Sequence, residues 1–387
     1  MHLRSSVFWP RMAVVGSLMV TLAAGAGNGW AQQPASQQAA AQTPSPAQQP
    51  SLTVDHDPVA SPDPEVLTPP PAATPQNAAP TTGIGKENGR YTLREDAYEV
   101  RLPATVLDSS GKSVQTLTKD DFHVYEDGVP QTIASFRHED LPVSIGLLID
   151  SSGSMYDKRA AVDKASLDFV RLSNPKDEEF LVDFSWEAFI DQDFTQNLDK
   201  LQQGLGYVKS SGGTALYDAL VASADYLNRN AKNPKQVLLV ITDGEDNASS
   251  ATLEQTIRRI QDLDGPVIYC VGLLFGDDTD RRESRHARRV LETLAEETGG
   301  AAYFPKALTQ VDEIAGEIAQ DIRQQYTIAY HSTKSPTLGG YREIHVEAKA
   351  KGLGKLSVRT RNGYFPKVNG KEVQGTGSGF SQPDKKP

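Results

Sequence analysis

A single cysteine, Cys270, stands in 387 residues, so an intrachain disulfide is impossible. Cys270 falls in the apolar run 266–273, where a thiol acts as a small buried hydrophobe; pairing with a second chain is the rarer alternative. Long apolar runs are scarce as well. Past residue 26 no segment is apolar and long enough to span a bilayer. Positive charge is also in short supply, with 39 Lys and Arg against 50 Asp and Glu and a formal net charge of −11. Such a balance argues against non-specific binding to nucleic acid or anionic lipid.

The first residues read as a secretory signal peptide, 1–31. Arg4 and Arg11 form its basic region, and 12–26 is an apolar stretch too short for a comfortable span. Gly29-Trp30-Ala31 offers small residues at the two positions a signal peptidase reads, so cleavage after Ala31 is expected; an uncleaved anchor is the alternative. No cysteine lies near this segment, which excludes a lipoprotein signal. Cleavage removes two arginines and no acid, leaving −13. The protein is therefore expected to be exported, whether periplasmic, cell-surface or secreted.

Composition divides the rest. Residues 32–90 are rich in Pro, Gln, Ala, Ser and Thr and hold no Lys or Arg before Lys86. Such a segment buries too little apolar surface to offset its ordering entropy and reads as a disordered tether. The polar tail 368–387 reads the same way. Residues 91–138 alternate apolar and polar, with a hairpin signal at Asp127-Gly128 and a return strand over 131–136. Alternation returns over 326–367. Neither flank suffices alone, so the two are expected to pair into one small β-sandwich.

Between them, 142–325 alternates strands with helices. Strands are expected at 143–149, 179–184, 236–242, 266–273 and 301–304. Helices are expected at 158–172, 198–208, 215–230, 252–263, 284–298 and 310–325. This βαβ alternation predicts an α/β fold: a doubly wound, mostly parallel sheet with helices on both faces, inserted in the sandwich.

Chemistry concentrates at the ends of two strands. Asp150-Ser151-Ser152-Gly153-Ser154 follows the apolar run 143–149, at the strand end where open α/β sheets bind ligands. Asp150, Ser152 and Ser154 are hard oxygen donors suited to Mg²⁺, Ca²⁺ or Mn²⁺. A helix N-cap is the plainer use of such residues. Ser210-Ser211-Gly212-Gly213-Thr214 opens a helix with a hydroxyl at its end, and Asp243 ends a second apolar strand. Two carboxylates and three hydroxyls then make five oxygen donors from three loops.

Asp150-x-Ser152-x-Ser154, Thr214 and Asp243, in that order, resemble the von Willebrand factor type A domain and its metal-ion-dependent adhesion site. The flanks, with Leu117-Thr118-Lys119-Asp120-Asp121-Phe122 through Gln131 and Arg361-Asn362-Gly363-Tyr364-Phe365, are similar to the exported bacterial VWFA-related family. The resemblance covers about 91–367. It implies direct cation binding by Ser152 and Ser154, and by Thr214 in the ligand-competent state, with Asp150 and Asp243 acting largely through water. It implies a divalent cation, Mg²⁺ first and Ca²⁺ or Mn²⁺ next, that captures an Asp or Glu of a protein partner in adhesion or envelope assembly. By analogy, a shift of the last helix would pull on the sandwich.

Other readings fit less well. An aspartyl-phosphate phosphatase needs an acid where Ser152 stands. A serine hydrolase needs a histidine, and His123, His138, His286, His331 and His345 lie in flanking strands or a helix without triad context. No enzyme is expected. A scaffold with a vestigial site is the main alternative. The basic run 281–289 reads as a solvated helix face in an acidic chain. Gly212-Gly213-Thr214 lacks the Lys of a phosphate loop. An EF-hand counted from Asp243 closes on Glu254 but has Ala248 in place of the turn glycine.

Overall fold

Along Glu99–Leu107 (β1) the buried side chains of Val100, Leu102, Ala104 and Val106 fall on every second residue, the period of a strand with one face on a core. The computed structural model describes residues 99–275 and 281–368, with the short strands Thr53–Val54, Ile84–Glu87, Arg90–Leu93 and Lys371–Glu372. The signal segment lies outside the described residues, as does most of the stretch read as tether and of the tail. In the first flank, β1 runs unbroken through Pro103.

Phe122–Glu126 (β2) turns into Val129–Gln131 (β3) over Asp127 and Gly128, both at positive φ, +49° and +76°. That pair suits a tight hairpin turn, and Gly128 takes the left-handed position without steric cost. The expected return strand 131–136 is not one strand. It breaks at Thr132: β3 stays beside β2, and Ile133–Arg137 (β4) crosses to the other sheet.

Val143–Asp150 (β5) opens the α/β domain. It is followed by Arg159–Leu172 (α1), Glu178–Phe184 (β6), Ala188–Thr195 (β7), Leu198–Leu205 (α2), Leu216–Asn230 (α3) and Lys235–Thr242 (β8). Leu253–Asp262 (α4), Val267–Gly272 (β9), Arg281–Thr298 (α5), Ala302–Tyr303 (β10) and Val311–Arg323 (α6) complete it. The sheet runs β7-β6-β5-β8-β9-β10, with Thr53–Val54 parallel to β7 at the outer edge. All neighbours from β6 to β10 are parallel; β7 is antiparallel to β6 and escapes sequence reading because register shifts at Ile190 and Gln192 break its alternation.

Every residue of β5 is buried, as a central strand covered on both faces requires. Ile145, Leu147 and Ile149 pack with Val162 and Phe169 of α1, Leu201 of α2 and Ile318 of α6. Leu148 faces the other way, onto a core holding Leu216 and Leu220 of α3, Ile260 of α4 and Leu291 of α5. From β5 the chain moves to β6 on one side and later returns to β8 on the other. The β5 and β8 carboxyl ends are therefore adjacent at the topological switch point.

Tyr326–His331 (β11), Arg342–Ala348 (β12), Ser357–Arg359 (β13) and Gly363–Tyr364 (β14) join the first flank. The sheets β13-β1-β11-β4 and β14-β12-β2-β3 enclose one core, with Leu102, Phe122, Val124, Ile328 and Val346 among its residues. The sandwich thus combines both flanks around the inserted α/β domain. Inside it, Arg342 donates to Glu126 Oε1 at 3.1 Å, and Tyr330 and Tyr364 hydroxyls donate to Glu126 Oε2 at 2.7 and 3.0 Å. Glu126 and Tyr364, far apart in sequence, are one buried network.

Only two residues separate α6 from β11. Near the helix end, Asp321 accepts from Thr105 of β1 at 3.0 Å, from Tyr269 of β9 at 2.6 Å and from Arg359 of β13. This carboxylate ties the helix to the sandwich. The basic run lies on α5, which starts at Arg281 rather than 284. Arg281, Arg285 and Arg289 are exposed, and Ala287, Leu291 and Leu294 face the core. The acids at 277–280 lie outside the described residues. Among the described residues, no helix is long and apolar enough to cross a membrane.

Candidate metal centre

Asp150 ends β5 and is fully buried. Its Oδ1 accepts the Ser152 N–H at 2.8 Å and its Oδ2 accepts the Thr242 hydroxyl at 2.6 Å. Burial pushes its carboxyl up to about 6, and the charge of Asp243 adds to that, against the lowering effect of the Ser152 and Thr242 hydrogen bonds. Thr242 is the last residue of β8, so the Thr242 contact fixes the two strand ends to each other.

Between the donors Asp150 and Ser152, Ser151 turns inward. Its hydroxyl donates to Asp183 at 2.7 Å, its N–H to Phe184 O at 2.8 Å, and its carbonyl accepts from Ser211 N at 2.7 Å. The alternate residues are thereby turned to the opposite side. Ser152 is buried, and Ser154 is exposed at the solvent edge. Their hydroxyls lie 3.1 Å apart, and Ser154 Oγ donates to Asp243 Oδ1 at 2.8 Å. A 3₁₀ turn, Gly153–Met155, makes this spacing; Ser152 precedes it but makes no side-chain cap bond.

Thr214 is buried in the Gly-rich loop before α3. The loop reaches the first motif through Gly153 N to Gly212 O at 3.3 Å. Its glycines are required: Gly212 has φ +88°, and a Cβ there or on Gly213 would meet the Trp186 ring at 2.5 or 2.8 Å. The loop after β8 closes over the same segment. Asn247 Oδ1 accepts Thr214 N, and Asp246 Oδ1 accepts Tyr217 N at the start of α3. The segment 243–247, weighed above as a calcium loop, therefore acts as a clamp.

Lys158, at the head of α1, forms an ion pair with Asp243 Oδ2. The Asp243 side chain is 1% exposed, and that of Lys158 is 20%. Lys158, Thr242, Asn247 and the Ser151–Asp183 pair were not singled out from sequence. A lysine at a helix N-terminus has the wrong sign for the macrodipole, and that was the available signal.

All five candidate donors, Asp150, Ser152, Ser154, Thr214 and Asp243, thus lie in three loops joined by direct hydrogen bonds at the switch point. Among the described residues no group of three or more His, Cys, Asp and Glu is placed to hold a metal. The cluster here has two carboxylates, and hydroxyls make up the rest. Such a set fits a hard cation, and the ammonium drawn to Asp243 shows that a positive charge is accommodated there.

Fold and cluster together define a doubly wound α/β domain with oxygen donors gathered at its switch point. Residues 145–245 match the von Willebrand factor type A domain model, and this chain carries a domain of that family. A mouse (Mus musculus) relative, inter alpha-trypsin inhibitor heavy chain 4, is 22% identical over 233 residues. The match covers 54% of this chain and spans 24% of the relative's length. A solved von Willebrand factor type A structure from Catenulispora acidiphila is similar with a TM-score of 0.40 and 15% identity, over 62% of this chain and 73% of that one. The pilus adhesin SpaC from Lactobacillus rhamnosus GG, in its open conformation, gives 0.41 and 13%, over 67% and 49%.

Proposed function

We propose that this domain holds a divalent cation, Mg²⁺ first and Ca²⁺ or Mn²⁺ next, through Asp150, Ser152, Ser154, Thr214 and Asp243. The proposed task is capture of an Asp or Glu carboxylate on a protein partner, by an exported protein working in adhesion or envelope assembly. One observation supports this: the Ser152 and Ser154 hydroxyls lie 3.1 Å apart, Ser154 bonds Asp243 just past β8, and Asp150 at the end of β5 bonds Thr242, with the Thr214 loop tied to both segments. A bound cation supplies a Lewis-acidic position open to an incoming carboxylate.

The chain's own residues do the rest. Asp150 and Asp243 balance a doubly positive charge. Ser152 and Ser154 add neutral oxygen, which leaves charge for a ligand to satisfy. Ser154 stands at the exposed edge, the side from which a partner arrives. Thr242, Ser151 and Asn247 hold the three loops in place.

Binding rather than catalysis suits the surroundings. His286 pairs with Glu245 at 3.0 Å, His138 stacks on Tyr326, and His345 lies beside Glu347. None of these contacts is to Ser152 or Ser154, so their hydroxyls have no base among them. The test is a pull-down of the full chain from envelope extract with Mg²⁺, with EDTA, and with Asp243→Ala. Capture in Mg²⁺ alone supports the proposal. Equal capture in all three arms overturns it.

A further inference from the structure

Lys158 is the one charge at this cluster that a cation site does not need. It sits where α1 begins, next to Arg159, although the N-terminal end of a helix dipole disfavours cations. Its ammonium is bound to a carboxylate that is itself almost fully buried. A buried carboxylate left without a partner is costly, so Lys158 stabilises Asp243 when no other cation is near. The same contact puts a positive charge on a proposed cation ligand.

We infer that Lys158 is the resident counter-charge of this centre, weakening its hold on a divalent cation and leaving the loaded site one charge positive for a carboxylate ligand. The inference rests on the function proposed above and concerns a residue outside the five donors. Asp150 and Asp243 alone neutralise a divalent cation. With Lys158 beside them the loaded centre is +1, and one carboxylate from a partner brings it to neutrality. Cation and acidic ligand then favour each other, because either bound alone leaves charge uncompensated in a partly buried place. The arrangement selects a singly negative group over a neutral amide or hydroxyl. Ser154, at the solvent edge and 2.8 Å from Asp243, places the entering group close to the same charges.

The experiment is isothermal titration of full-length chain with Mn²⁺, alone and with excess acetate, for wild type, Lys158→Met and Lys158→Arg. Circular dichroism confirms that each is folded. Removing the repelling charge tightens Mn²⁺ binding in Lys158→Met by about tenfold or more, whereas Lys158→Arg stays near wild type. Acetate strengthens Mn²⁺ binding in wild type and does so less in Lys158→Met. A purely structural role for Lys158 would instead weaken Mn²⁺ binding in Lys158→Met. Equal or weaker binding by folded Lys158→Met overturns the inference and leaves the proposed function standing. No Mn²⁺ binding by any of the three overturns both.

Discussion

Thr214 and Asn247 are joined by hydrogen bonds in both directions. Thr214 N donates to Asn247 Oδ1 at 2.9 Å, and Asn247 N donates to Thr214 O at 3.0 Å. One candidate donor is thus held by a side chain from the loop that carries another, Asp243. Asn247→Ala leaves the Thr214 N–H without its acceptor and costs about 1–3 kcal/mol in denaturant unfolding. It also weakens cation binding, because Thr214 loses its fixed position. Asn247→Asp keeps the acceptor and retains most of the stability.

Trp186 lies against the backbone of Gly212 and Gly213, two residues before Thr214. In a chain beginning after residue 31 it is the sole tryptophan. Its fluorescence therefore reports on the loop. Mg²⁺ shifts its emission in wild type and leaves it unchanged in Asp150→Ala. Gly212→Ala, forced into positive φ against the indole, alters the emission without any cation and destabilises the loop by about 1–3 kcal/mol.

Glu179 is buried in β6, and desolvation, with Asp177 and Glu178 adding, raises its carboxyl from the usual 4.5 to about 8. A carboxyl with a higher pKa folded than unfolded gives the folded state more bound protons between those values. Stability is fully present below about 4.5 and is lost as pH rises through about 8. The slope in that window is at most about 1.4 kcal/mol per pH unit. Asp150 contributes in the same direction, but only up to about 6 in the cation-free protein. Glu179→Gln therefore flattens the fall between pH 6 and 8, read as urea midpoints at closely spaced pH values.

Asp321 anchors the end of α6 to Arg359, Thr105 and Tyr269. Asp321→Ala leaves a partly buried guanidinium unpaired and destabilises the chain by about 3–5 kcal/mol. Hydrogen exchange checks the location. Protection falls first at the α6–β11 junction and in β13, and the β5 and β8 amides keep theirs.

The parts of the fold legible in sequence are those whose burial is complete. All eight residues of β5 and nearly all of β8 and β9 are buried, so their apolar runs could be read directly. The antiparallel β7 could not, because its bulges disturb alternation and only two of its eight residues are buried. The break at Thr132 was hidden because both halves of the return segment are strand-like; which sheet each joins is decided by β2 and β11, the latter nearly 200 residues on. The proposed donors Asp150, Ser152, Ser154, Thr214 and Asp243 could be named as candidates because oxygen-bearing residues stand just where strands end or a helix begins. Lys158 and Asn247 were not, since each acts across a gap between loops that only folding closes.

The central claim is that these five residues hold a divalent cation, and titration of Mg²⁺ into the full chain by calorimetry tests it most directly. Wild type gives saturable heat at one site per chain, and Asp150→Ala, still folded by circular dichroism, gives none. Equal heats from the two proteins, or none from wild type, would contradict it.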